Sequence, residues 1–497
     1  MEPPGSQIID GNTAKSIASV EVIPGGTVNG SIRPPGSKSL TNRALICAAF
    51  AAPTGGPDAR RESVLTGALR SEDTEVMIAA VERVGGRVVS SQGGRTLRIT
   101  AVPDHVAGVR PREELGIANS GTTVRFLTAA LSAHGGHYRL HGVPRMHERP
   151  IGDLIEAIGS VIDGTIRTES PGRCPPVEID SCGWKAKPMT VRGNVSSQYL
   201  SGLMMAAPIG SANRRPAVAA AAESTAPGNV TANETVIRVA GELVSLPYVE
   251  MTARVMRDFG ATAELSAIAA TTNPGGDEAI THEVRVAETP YQATEYAIEP
   301  DASAASYFWA AAAITGGTVT VEGLSANALQ GDVALVDVLE KMGCHVDRGP
   351  DQITVTGAAL HGIDVDMNPI SDTVQTLSMV ALFAAGPTRV RGVAHNRFKE
   401  TDRIGDLATE LRKLGAIVEE HDDGLTIHPL ADVASPGRRD VTLETYHDHR
   451  MAMSFALAGL KIAGVRIADP ACTSKTYPEY FADLQRLIGR PHVWRSW

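Results

Sequence analysis

A helix that stops at glycine and leads into a strand recurs along the chain. Copies lie at 81–89, 256–265, 339–346 and 411–420, with a weaker one at 155–166. In each copy, apolar residues at helical spacing end at a glycine, which accepts the left-handed conformation of a helix C-cap at little cost. Most copies continue into a second run of alternating apolar and polar residues. The pattern predicts a helix followed by two antiparallel strands.

An alanine-rich helix, a glycine-containing turn and a strand form the second repeat. It occurs at 127–143, 305–324, 380–393 and 455–469, and 44–52 begins in the same way. Interleaving the two repeats gives five or six units of about 70 to 100 residues, each with the order β-α-β-α-β-β. A chain of 497 residues also exceeds what one hydrophobic core usually serves. We therefore expect an α/β protein of two similar domains, each of three units, with the alanine-rich helices buried.

Residues 210–233 break this regularity. They form an alanine-rich, low-complexity run that contains several turn-forming residues. We predict a surface insertion there. The alternative is an ordinary helix that continues through the segment.

Charge and apolar patterning exclude two classes of partner. The formal net charge of −10 disfavours binding to nucleic acid, which usually requires a basic surface. The apolar runs, such as 203–209, are far shorter than the roughly 20 residues of a membrane span, and the acidic first 20 residues do not look like a secretory signal. The five cysteines form no CxxC pair. We expect a cytoplasmic protein whose cysteines are reduced and buried.

Two segments place cations and hydroxyls beside the predicted start of a helix. In 34–46 a Pro-Gly turn precedes Lys38, Ser39 and Arg43, and in 118–126 the run Asn-Ser-Gly-Thr precedes Arg125. Backbone N–H groups at a helix start favour an anion, and nearby cations add to this preference. The alternative for each segment is a simple N-cap with solvated cations. In an acidic chain, such local clusters indicate a small substrate that carries several phosphates or carboxylates.

Two later segments add charged groups. In KETDRI, Lys399 and Arg403 stand four residues apart on one predicted helical face, a repulsive arrangement that an anionic ligand or nearby carboxylates would relieve. In YHDHRMAM, the run 448–450 directly precedes an apolar helix. His447 and His449 could ligate a metal, but no cysteine is near and Arg450 is adjacent. We interpret them as neighbours of an anion site and expect no metal.

Nine motifs then identify a resemblance. In order along residues 22 to 490 they are PGSKSLTNR, NSGTTVR, PRMHERPI, NVSSQYL, DASAASYF, LQGD, HNRFKETDR, YHDHRMAM and CTSKTYP. This series resembles that of the EPSP synthase family (3-phosphoshikimate 1-carboxyvinyltransferase). The resemblance implies the enolpyruvyl transferase fold, an inside-out α/β barrel of two domains with the active site in the cleft between them. It implies one discontinuous domain of 22–36 with 298–497, a second domain of 37–297, and an N-terminal extension of 1–21.

The resemblance also implies which residues hold the two substrates. Those matched to shikimate 3-phosphate are Lys38, Ser39, Arg43, Ser196, Ser197, Gln198, Ser245, Tyr248, Asp372, His395 and Lys399. Those matched to phosphoenolpyruvate are Lys38, Gly121, Arg149, Gln198, Arg403, Arg450 and Lys475.

The implied reaction moves the enolpyruvyl group of phosphoenolpyruvate to the 5-hydroxyl of shikimate 3-phosphate through a tetrahedral intermediate, in the shikimate pathway that leads to aromatic amino acids. Asp372 matches the base that takes the hydroxyl proton, and Glu400 matches the acid that protonates the methylene carbon, with Lys38 and Lys475 sharing these roles. No cofactor is implied, and the family expectation is a monomer. Cations from both domains are expected to repel one another until the first substrate arrives.

Three positions bear on specificity. His395 stands where the family usually has Asn, and Phe126 stands where it often has Pro. Gly121 leaves room where tolerant forms carry Ala, so we expect glyphosate to compete with phosphoenolpyruvate. The rival enzyme is UDP-N-acetylglucosamine enolpyruvyl transferase, which typically uses a loop Cys. The rival from another class is a non-catalytic scaffold on the same fold.

Overall fold

The structure, a computed structural model, describes residues 17–53, 62–103, 112–218, 234–271, 278–432 and 438–496. In these ranges the α-helices are α1 Lys38–Ala49, α2 Glu72–Arg83, α3 Gly121–His134, α4 Gly152–Gly159, α5 Ser197–Val218, α6 Leu246–Asp258, α7 Ala302–Thr315, α8 Leu335–Lys341, α9 Val374–Ala381, α10 Gly405–Lys413, α11 His449–Ala458 and α12 Tyr480–Ile488.

The strands in these ranges are β1 Ile17–Glu21, β2 Asn29–Ile32, β3 Glu62–Thr66, β4 Arg87–Ser91, β5 Thr96–Thr100, β6 Arg112–Gly116, β7 Gly136–His141, β8 Ile162–Ser170, β9 Cys174–Trp184, β10 Met189–Arg192, β11 Glu234–Ala240, β12 Ala263–Thr271, β13 Ile280–Ala287, β14 Glu295–Ala297, β15 Thr318–Glu322, β16 His345–Arg348, β17 Gln352–Thr356, β18 Asp364–Asp366, β19 Thr388–Arg391, β20 Val418–His421, β21 Gly424–Ile427, β22 Arg438–Leu443, β23 Ala463–Ala468 and β24 Val493–Ser496.

One folding unit accounts for the whole architecture. In the unit β6-α3-β7-α4-β8-β9, the first two strands pair in parallel, and β9 then pairs antiparallel with both β7 and β8. The strand order in the sheet is therefore β6-β7-β9-β8. A parallel pair needs a crossover, which helix α3 supplies, whereas the last two strands need only a hairpin.

The same order recurs in five more sheets. Two units are continuous in sequence, with sheet orders β10-β11-β13-β12 and β18-β19-β21-β20. Three are assembled from distant segments, with orders β14-β3-β5-β4, β16-β17-β15-β2 and β22-β23-β1-β24. The predicted β-α-β-α-β-β repeat is confirmed, and the described residues contain six separate four-stranded sheets rather than one closed barrel.

The predicted glycine stops lie where four helices end. Helices α2, α6, α8 and α10 are each followed, two residues after the last helical one, by a glycine with positive φ: Gly85, Gly260, Gly343 and Gly415. The weaker copy at 155–166 differs, because Gly159 is itself the last residue of α4. Helices α3, α7 and α11 are buried almost throughout, as expected from their alanine-rich sequences.

The buried apolar residues form two separate clusters. One takes its members from 40–298, and the other takes its members from 20–32 and 302–488. This division is that of two domains, the second of them discontinuous in sequence. The individual boundaries at 36/37 and 297/298 remain a prediction.

The chain passes from one cluster to the other twice, near residues 35–37 and 299–301, and these two segments lie side by side. Ser37 N donates to Glu299 O at 2.8 Å and Asp301 N donates to Pro35 O at 2.8 Å. A Cβ on Gly36 would lie 1.8 Å from Gly67 O. Only glycine fits this approach, which explains the Pro-Gly turn just before the first predicted anion site.

Two sequence predictions at the ends of elements need correction. Residues 17–21 are not part of an extension, because β1 pairs antiparallel with both β23 and β24. The predicted surface insertion begins too early, because α5 continues through Val218. Residues 219–233 lie outside the described residues, as do 1–16. No helix of the described residues is long and apolar enough to cross a membrane.

Candidate active site in the interdomain cleft

A cleft of about 590 Å³ lies between the two apolar clusters. Of the residues predicted from the sequence, those that line it are Lys38, Gly121, Arg149, Ser196, Gln198, Asp372, His395, Lys399, Glu400, Arg403 and Arg450. We call Lys38, Gly121, Arg125, Arg149 and Gln198 the cation wall. We call Asp372, Lys399, Glu400, Arg403 and Arg450 the carboxylate wall. The cation wall belongs to the cluster of 40–298, and the carboxylate wall belongs to the other cluster.

Three helices begin at this cleft, as the sequence predicts. Ser37 caps α1, so that Lys38 is its first residue, and Ser120 caps α3 ahead of Gly121. Asp448 caps α11 by accepting from Arg450 N at 2.8 Å. Each cap satisfies part of the first helical turn, and the remaining N–H groups favour an anion.

The KETDRI segment is not helical, which corrects the prediction of a shared helical face. A 3₁₀ turn spans Ala394–Phe398, and helix α10 begins only at Gly405. The Asp402 carboxylate accepts from Ile404 N and Gly405 N, each at 3.0 Å. This local bonding competes with a helix. It leaves Lys399 and Arg403 in a loop whose side chains reach the cleft.

Arg403 is the centre of the carboxylate wall. Its Nε and Nη2 donate to the two oxygens of Asp448 at 2.7 and 3.1 Å, a bidentate arrangement. Its Nη1 donates to Asp372 at 3.1 Å, and its Nη2 lies 2.9 Å from Glu400. The side chain is 2% exposed. Because one buried guanidinium holds three carboxylates, the wall has a fixed geometry.

Asp372 is surrounded by cations. Its carboxylate lies 2.8 Å from Arg450 Nη2, 3.1 Å from Arg403 Nη1 and 3.9 Å from Lys399 Nζ. Burial alone would raise the pKa of Asp372, but these cations, Arg450 foremost, hold that pKa below its ordinary value. The group is therefore ionised at neutral pH and can accept a proton.

Glu400 connects the two walls. Lys475 Nζ lies 3.2 Å and Arg149 Nη2 lies 3.7 Å from its Oε1. Burial would raise the pKa of Glu400, but Lys475, Arg403 and Arg149 lower it well below its ordinary value. Lys475 also donates to Asn119 O at 3.1 Å, across the cleft. The sequence predicts that the cations repel one another, but Glu400 lies between them and offsets this repulsion.

The cation wall has fewer carboxylates. Arg125 Nη1 donates to Gln198 Oε1 at 2.8 Å, and Arg125 forms no ion pair with a described residue. Arg149 Nη1 donates to Asn119 O at 3.2 Å. Lys38 is paired with Asp73 at 3.3 Å. The two guanidinium groups thus carry charge that their own wall does not neutralise.

Gly121 keeps space open between the two guanidinium groups. A Cβ at this position would lie 2.6 Å from Arg149 Nη2 and 2.7 Å from Arg125 Nη1. Either contact would force a guanidinium to move. Phe126, the other position marked in the sequence, is buried one turn further along α3, and its ring centroid lies 5.2 Å from the Arg43 guanidinium.

Arg43 lies behind the cleft rather than on it. Its Nε donates to Thr252 Oγ1 at 2.7 Å, and its Nη2 donates to Tyr248 O at 3.4 Å. Burial lowers the pKa of Arg43 to about 10. In this geometry the guanidinium supports α6 and Tyr248. Of the other predicted residues, those that also lie beside the lining residues rather than among them are Ser39, Ser197, Ser245, Tyr248 and Lys475.

Ser245, Tyr248 and His395 form a neutral group at one end of the cleft. Ser245 N donates to Asn368 Oδ1 at 2.8 Å, and Ser245 Oγ lies 3.4 Å from His395 Nε2. Burial and the charge of Lys399 lower the pKa of His395 to about 3. The imidazole is therefore neutral and serves as a hydrogen-bonding group, not as a cation.

The two histidines considered as metal ligands point to different places. His449 is buried and lines the cleft, with neither ring nitrogen hydrogen-bonded to a described residue. Burial, together with Lys38 and Arg450, lowers its pKa well below the ordinary value. His447 lies outside the cleft, with Nδ1 2.6 Å from Asp469 Oδ2. No group of three His, Cys, Asp or Glu side chains in the described parts of the chain could hold a metal ion.

Sequence reasoning missed three lining or adjoining residues. Asp73 pairs with Lys38, Arg125 was seen only as a cation near a helix start, and Asp332 hydrogen-bonds with Tyr248. Asp332 lies in the motif LQGD, which the resemblance includes without a role. Asp73 lies in the first turn of α2, where acidic residues are ordinary, so its sequence carries no signal.

Comparison with known proteins adds an independent finding. The family model described as "EPSP synthase (3-phosphoshikimate 1-carboxyvinyltransferase)" matches residues 22–224 and 226–484. A protein of Ralstonia pickettii named 3-phosphoshikimate 1-carboxyvinyltransferase is 42% identical over 93% of this chain and 98% of its own length. The protein of the same name from Nostoc punctiforme is 40% identical over 93% of this chain and 97% of its own length. The chloroplastic protein of that name from Arabidopsis thaliana is 40% identical over 96% of this chain and 86% of its own length.

Solved structures resemble the same fold. The EPSP synthase of Acinetobacter baumannii superposes with a TM-score of 0.71 at 23% identity, over 96% of this chain and 99% of that chain. The enolpyruvyl transferase NikO of Streptomyces tendae superposes with a TM-score of 0.67 at 19% identity, over 97% of this chain and 100% of that chain. At these identities the likeness concerns the fold alone, and it agrees with the expected two-domain α/β architecture.

Proposed function

Because this chain belongs to the EPSP synthase family, we propose that it transfers the enolpyruvyl group of phosphoenolpyruvate to the 5-hydroxyl of shikimate 3-phosphate. The products are 5-enolpyruvylshikimate 3-phosphate and phosphate, on the shikimate pathway to aromatic amino acids. One observation carries the proposal: a buried wall of guanidinium groups faces a wall with two ionised carboxylates across the cleft. The first wall suits anionic substrates, and the second suits proton transfer.

Phosphoenolpyruvate is proposed to bind between the walls. Its phosphate and carboxylate would be held by Lys38, Arg149, Arg403, Arg450 and Lys475. Gly121 and Gln198 would complete this site, Gly121 by leaving space beside the guanidinium groups. Bidentate guanidinium contacts fix the orientation of a phosphate or carboxylate as well as its position.

Shikimate 3-phosphate is proposed to bind at the neutral end of the cleft. Its phosphate would contact Lys399 and uncharged hydrogen-bond donors that lie near it, and its ring would lie against Tyr248. The proposed contacts are Lys38, Ser39, Ser196, Ser197, Gln198, Ser245, His395 and Lys399. Arg43 is proposed to act through Tyr248, because it donates to the backbone of that residue from behind the cleft.

Asp372 is proposed as the base that takes the 5-hydroxyl proton. Its cation partners lower its pKa and make it a weak base. The two substrates bring about six negative charges, which would draw Arg450, Arg403 and Lys399 away from Asp372 and raise its proton affinity. Substrate binding would thereby activate the base at the moment it is needed.

Glu400 is proposed as the acid that protonates the methylene carbon. The cations that contact Glu400 lower its pKa and so disfavour its protonated form. A phosphoenolpyruvate carboxylate or phosphate that binds Lys475 and Arg149 would remove this restraint and let Glu400 carry a proton. The hydroxyl oxygen then bonds to the enol ether carbon while the methylene carbon gains a proton, which gives the tetrahedral intermediate. Loss of a proton from the new methyl group and cleavage of the carbon–oxygen bond to phosphate restore the double bond.

We propose that the enzyme acts as a cytoplasmic monomer without metal or organic cofactor, and that nucleic acid and membrane are not partners. The named chemistry needs only acid, base and positioned cations. A test of the oligomeric state is the mass of the purified chain by light scattering. A mass near 104 kDa, twice the 52.2 kDa of one chain, would contradict the monomer.

A transfer to UDP-N-acetylglucosamine is the alternative reaction. It is disfavoured because no cysteine in the described parts of the chain lines the cleft. The decisive experiment offers phosphoenolpyruvate with either acceptor and measures phosphate release, with NMR identification of the product. We expect release only with shikimate 3-phosphate. Release with the UDP-sugar would favour the alternative, and no release with either acceptor would favour a non-catalytic scaffold.

A further inference from the structure

A second buried carboxyl, that of Asp332, lies next to Asp372. The Tyr248 hydroxyl joins the two groups, since it is 3.1 Å from Asp332 Oδ2 and 3.2 Å from Asp372 Oδ2. Ser303 Oγ also donates to Asp332 Oδ2. Asp332 is 2% exposed and sits beside, not among, the residues that line the cleft. It is therefore placed to act on the reaction only through Tyr248 and Asp372.

The two carboxyls have opposite surroundings. Asp372 has three cations within 4 Å, whereas Asp332 forms no ion pair with a described residue. The second oxygen of Asp332, Oδ1, is buried and has no hydrogen-bond partner in the described parts of the chain. An unpaired buried carboxylate oxygen is costly, and protonation lowers that cost because it removes the buried charge. Of the two groups, Asp332 is thus the one that stores a proton more readily.

One hydroxyl cannot fully serve two carboxylates. Tyr248 has a single proton to donate, and both of its neighbours accept when they are ionised. The conflict disappears when one carboxyl is protonated and donates to the Tyr248 oxygen while Tyr248 donates to the other. Such a chain of two carboxyls and one phenol can transfer a proton by exchange along its hydrogen bonds.

We propose that Asp332 receives, through the Tyr248 hydroxyl, the proton that Asp372 takes from the acceptor hydroxyl. The inference rests on the proposed function, because it assumes that Asp372 is the base. Asp332 touches no reacting atom and is a positioning residue that restores Asp372 to its ionised form during the reaction.

The proton balance closes over one turnover. Asp372 Oδ2 takes the hydroxyl proton, Tyr248 accepts a proton from Asp372, and Tyr248 gives its own proton to Asp332 Oδ2. When the carbon–oxygen bond to phosphate breaks, the departing phosphate needs one proton to leave as hydrogen phosphate. The proton returns along the same three groups and leaves with the phosphate, so that no further reactant is required.

The charged and titratable groups around Asp332 come from four elements. Helix α6 contributes Tyr248, the 3₁₀ turn Asn368–Thr373 contributes Asp372, helix α11 contributes Arg450, and the N-cap of α7 contributes Asp301. Burial and the neighbouring charge of Asp372 raise the pKa of Asp332 to about 6, against the opposing effect of Arg450. Above that pH Asp332 is ionised and able to accept a proton. Below that pH the Asp332 carboxyl already carries a proton and cannot accept another.

The pH dependence of kcat tests the proposal. We expect kcat of the unaltered enzyme to fall as the pH decreases through about 6. In Asp332→Asn we expect kcat at pH 8 to be reduced about tenfold, less than the 10²- to 10⁴-fold that a directly acting base supplies. The decline near pH 6 is lost in this variant, and KM for shikimate 3-phosphate is unchanged. Tyr248→Phe gives the same loss of kcat, and combining the two substitutions adds no further loss.

Two serine variants on α7 sharpen the result. Ser303→Ala removes a donor that stabilises the ionised form of Asp332, so the decline in kcat moves to higher pH. Ser306→Ala is the matched control, because Ser306 bonds to Ser303 O and Thr376 and not to Asp332. We expect its pH profile to equal that of the unaltered enzyme. An Asp332→Asn profile that retains the decline near pH 6, or a tenfold loss confined to KM, would overturn the proposal.

A titration without turnover separates this inference from the proposed function. The infrared carboxyl band of the protein, compared with that of Asp332→Asn, reports the protonation of Asp332 directly. Activity with an unchanged pH profile in Asp332→Asn refutes the relay and leaves the function intact. Absence of the reaction refutes the function and the relay together, even if the Asp332 band titrates near pH 6.

Discussion

The two walls of the cleft use similar side chains in different ways. On the carboxylate wall, every guanidinium is paired: Arg403 holds Asp448, Asp372 and Glu400, and Arg450 holds Asp372. On the cation wall, Arg125 bonds to an amide and Arg149 bonds to a backbone carbonyl. The first wall pairs its guanidinium groups with carboxylates on its own side of the cleft, whereas the second does not, and Arg149 meets a carboxylate across the cleft, 3.7 Å away on Glu400.

This difference separates binding from proton transfer. A guanidinium without a carboxylate on its own wall retains its attraction for a phosphate. A carboxylate held by cations stays ionised until the ligand competes for those cations. Changes to the cation wall should therefore alter affinity, and changes to the carboxylate wall should alter the chemical step.

The largest effect is expected at Asp372. Replacing Asp372 by Asn preserves its size and removes the base, so kcat should fall about 10²- to 10⁴-fold with little change in KM. Steady-state kinetics of phosphate release measure this. Asp364→Asn is the matched control, since among the described residues Asp364 forms its ion pair with exposed Arg391 on the strand surface. A kcat within tenfold of the unaltered enzyme would remove Asp372 from the role of base.

The next largest effect is expected at Arg149. Arg149→Gln removes a buried, charge-assisted contact worth about 1.5 to 3 kcal/mol, and kcat/KM for phosphoenolpyruvate should fall about 10- to 100-fold. The loss should lie mainly in KM. Arg167→Gln, on strand β8 and 73% exposed, should change kcat/KM by less than about threefold. Equal effects of the two substitutions would refute the role of the cation wall.

A smaller effect is expected from Gly121→Ala. The added methyl group displaces the Arg125 and Arg149 nitrogens that lie within 2.7 Å of the new Cβ, so KM for phosphoenolpyruvate should rise about threefold to tenfold, consistent with a distorted charge-assisted contact. Inhibition by glyphosate should weaken further if it competes for this space. Gly159→Ala is the control, because nothing lies within 4 Å of a Cβ at that helix end. Glyphosate that fails to inhibit the unaltered enzyme at millimolar concentration would contradict the competition.

The smallest effect concerns stability in acid. The pKa values of Asp372 and Glu400 are lowered in the folded protein, so both carboxylates stabilise the fold above their unfolded pKa values of about 4. This contribution is lost as the pH falls below about 4, by up to about 1.4 kcal/mol per pH unit for each proton taken up. Thermal unfolding between pH 7 and 3 should show a steeper decline for the unaltered protein than for Asp372→Asn with Glu400→Gln. Parallel declines would show that these ion pairs do not stabilise the fold.

Local sequence signals predict the repeats and the helix starts. Glycines such as Gly260 and Gly415 end helices through their positive φ, and Ser37 and Ser120 cap helices through their own hydroxyls. These features depend on a few neighbouring residues. Through the family motifs the sequence also predicts the residues of both walls except Arg125, and the cleft brings these residues together.

Other features depend on contacts that no local pattern records. The strand at 17–21 forms only because β23 and β24 lie beside it. Asp332 reaches Tyr248 from the other domain. Such pairs are separated by many residues and are visible only in the folded chain.

The separation of binding from proton transfer is tested most directly by turnover in deuterium oxide at saturating substrates. We predict that the unaltered enzyme incorporates deuterium into the vinyl methylene group of the product, because the intermediate gains and then loses a proton at that carbon. At saturating phosphoenolpyruvate, Arg149→Gln should retain the rate of deuterium incorporation, and Glu400→Gln should lose most of that rate. Incorporation that persists in Glu400→Gln and disappears in Arg149→Gln would contradict the account, because the cation wall would then control the proton transfer.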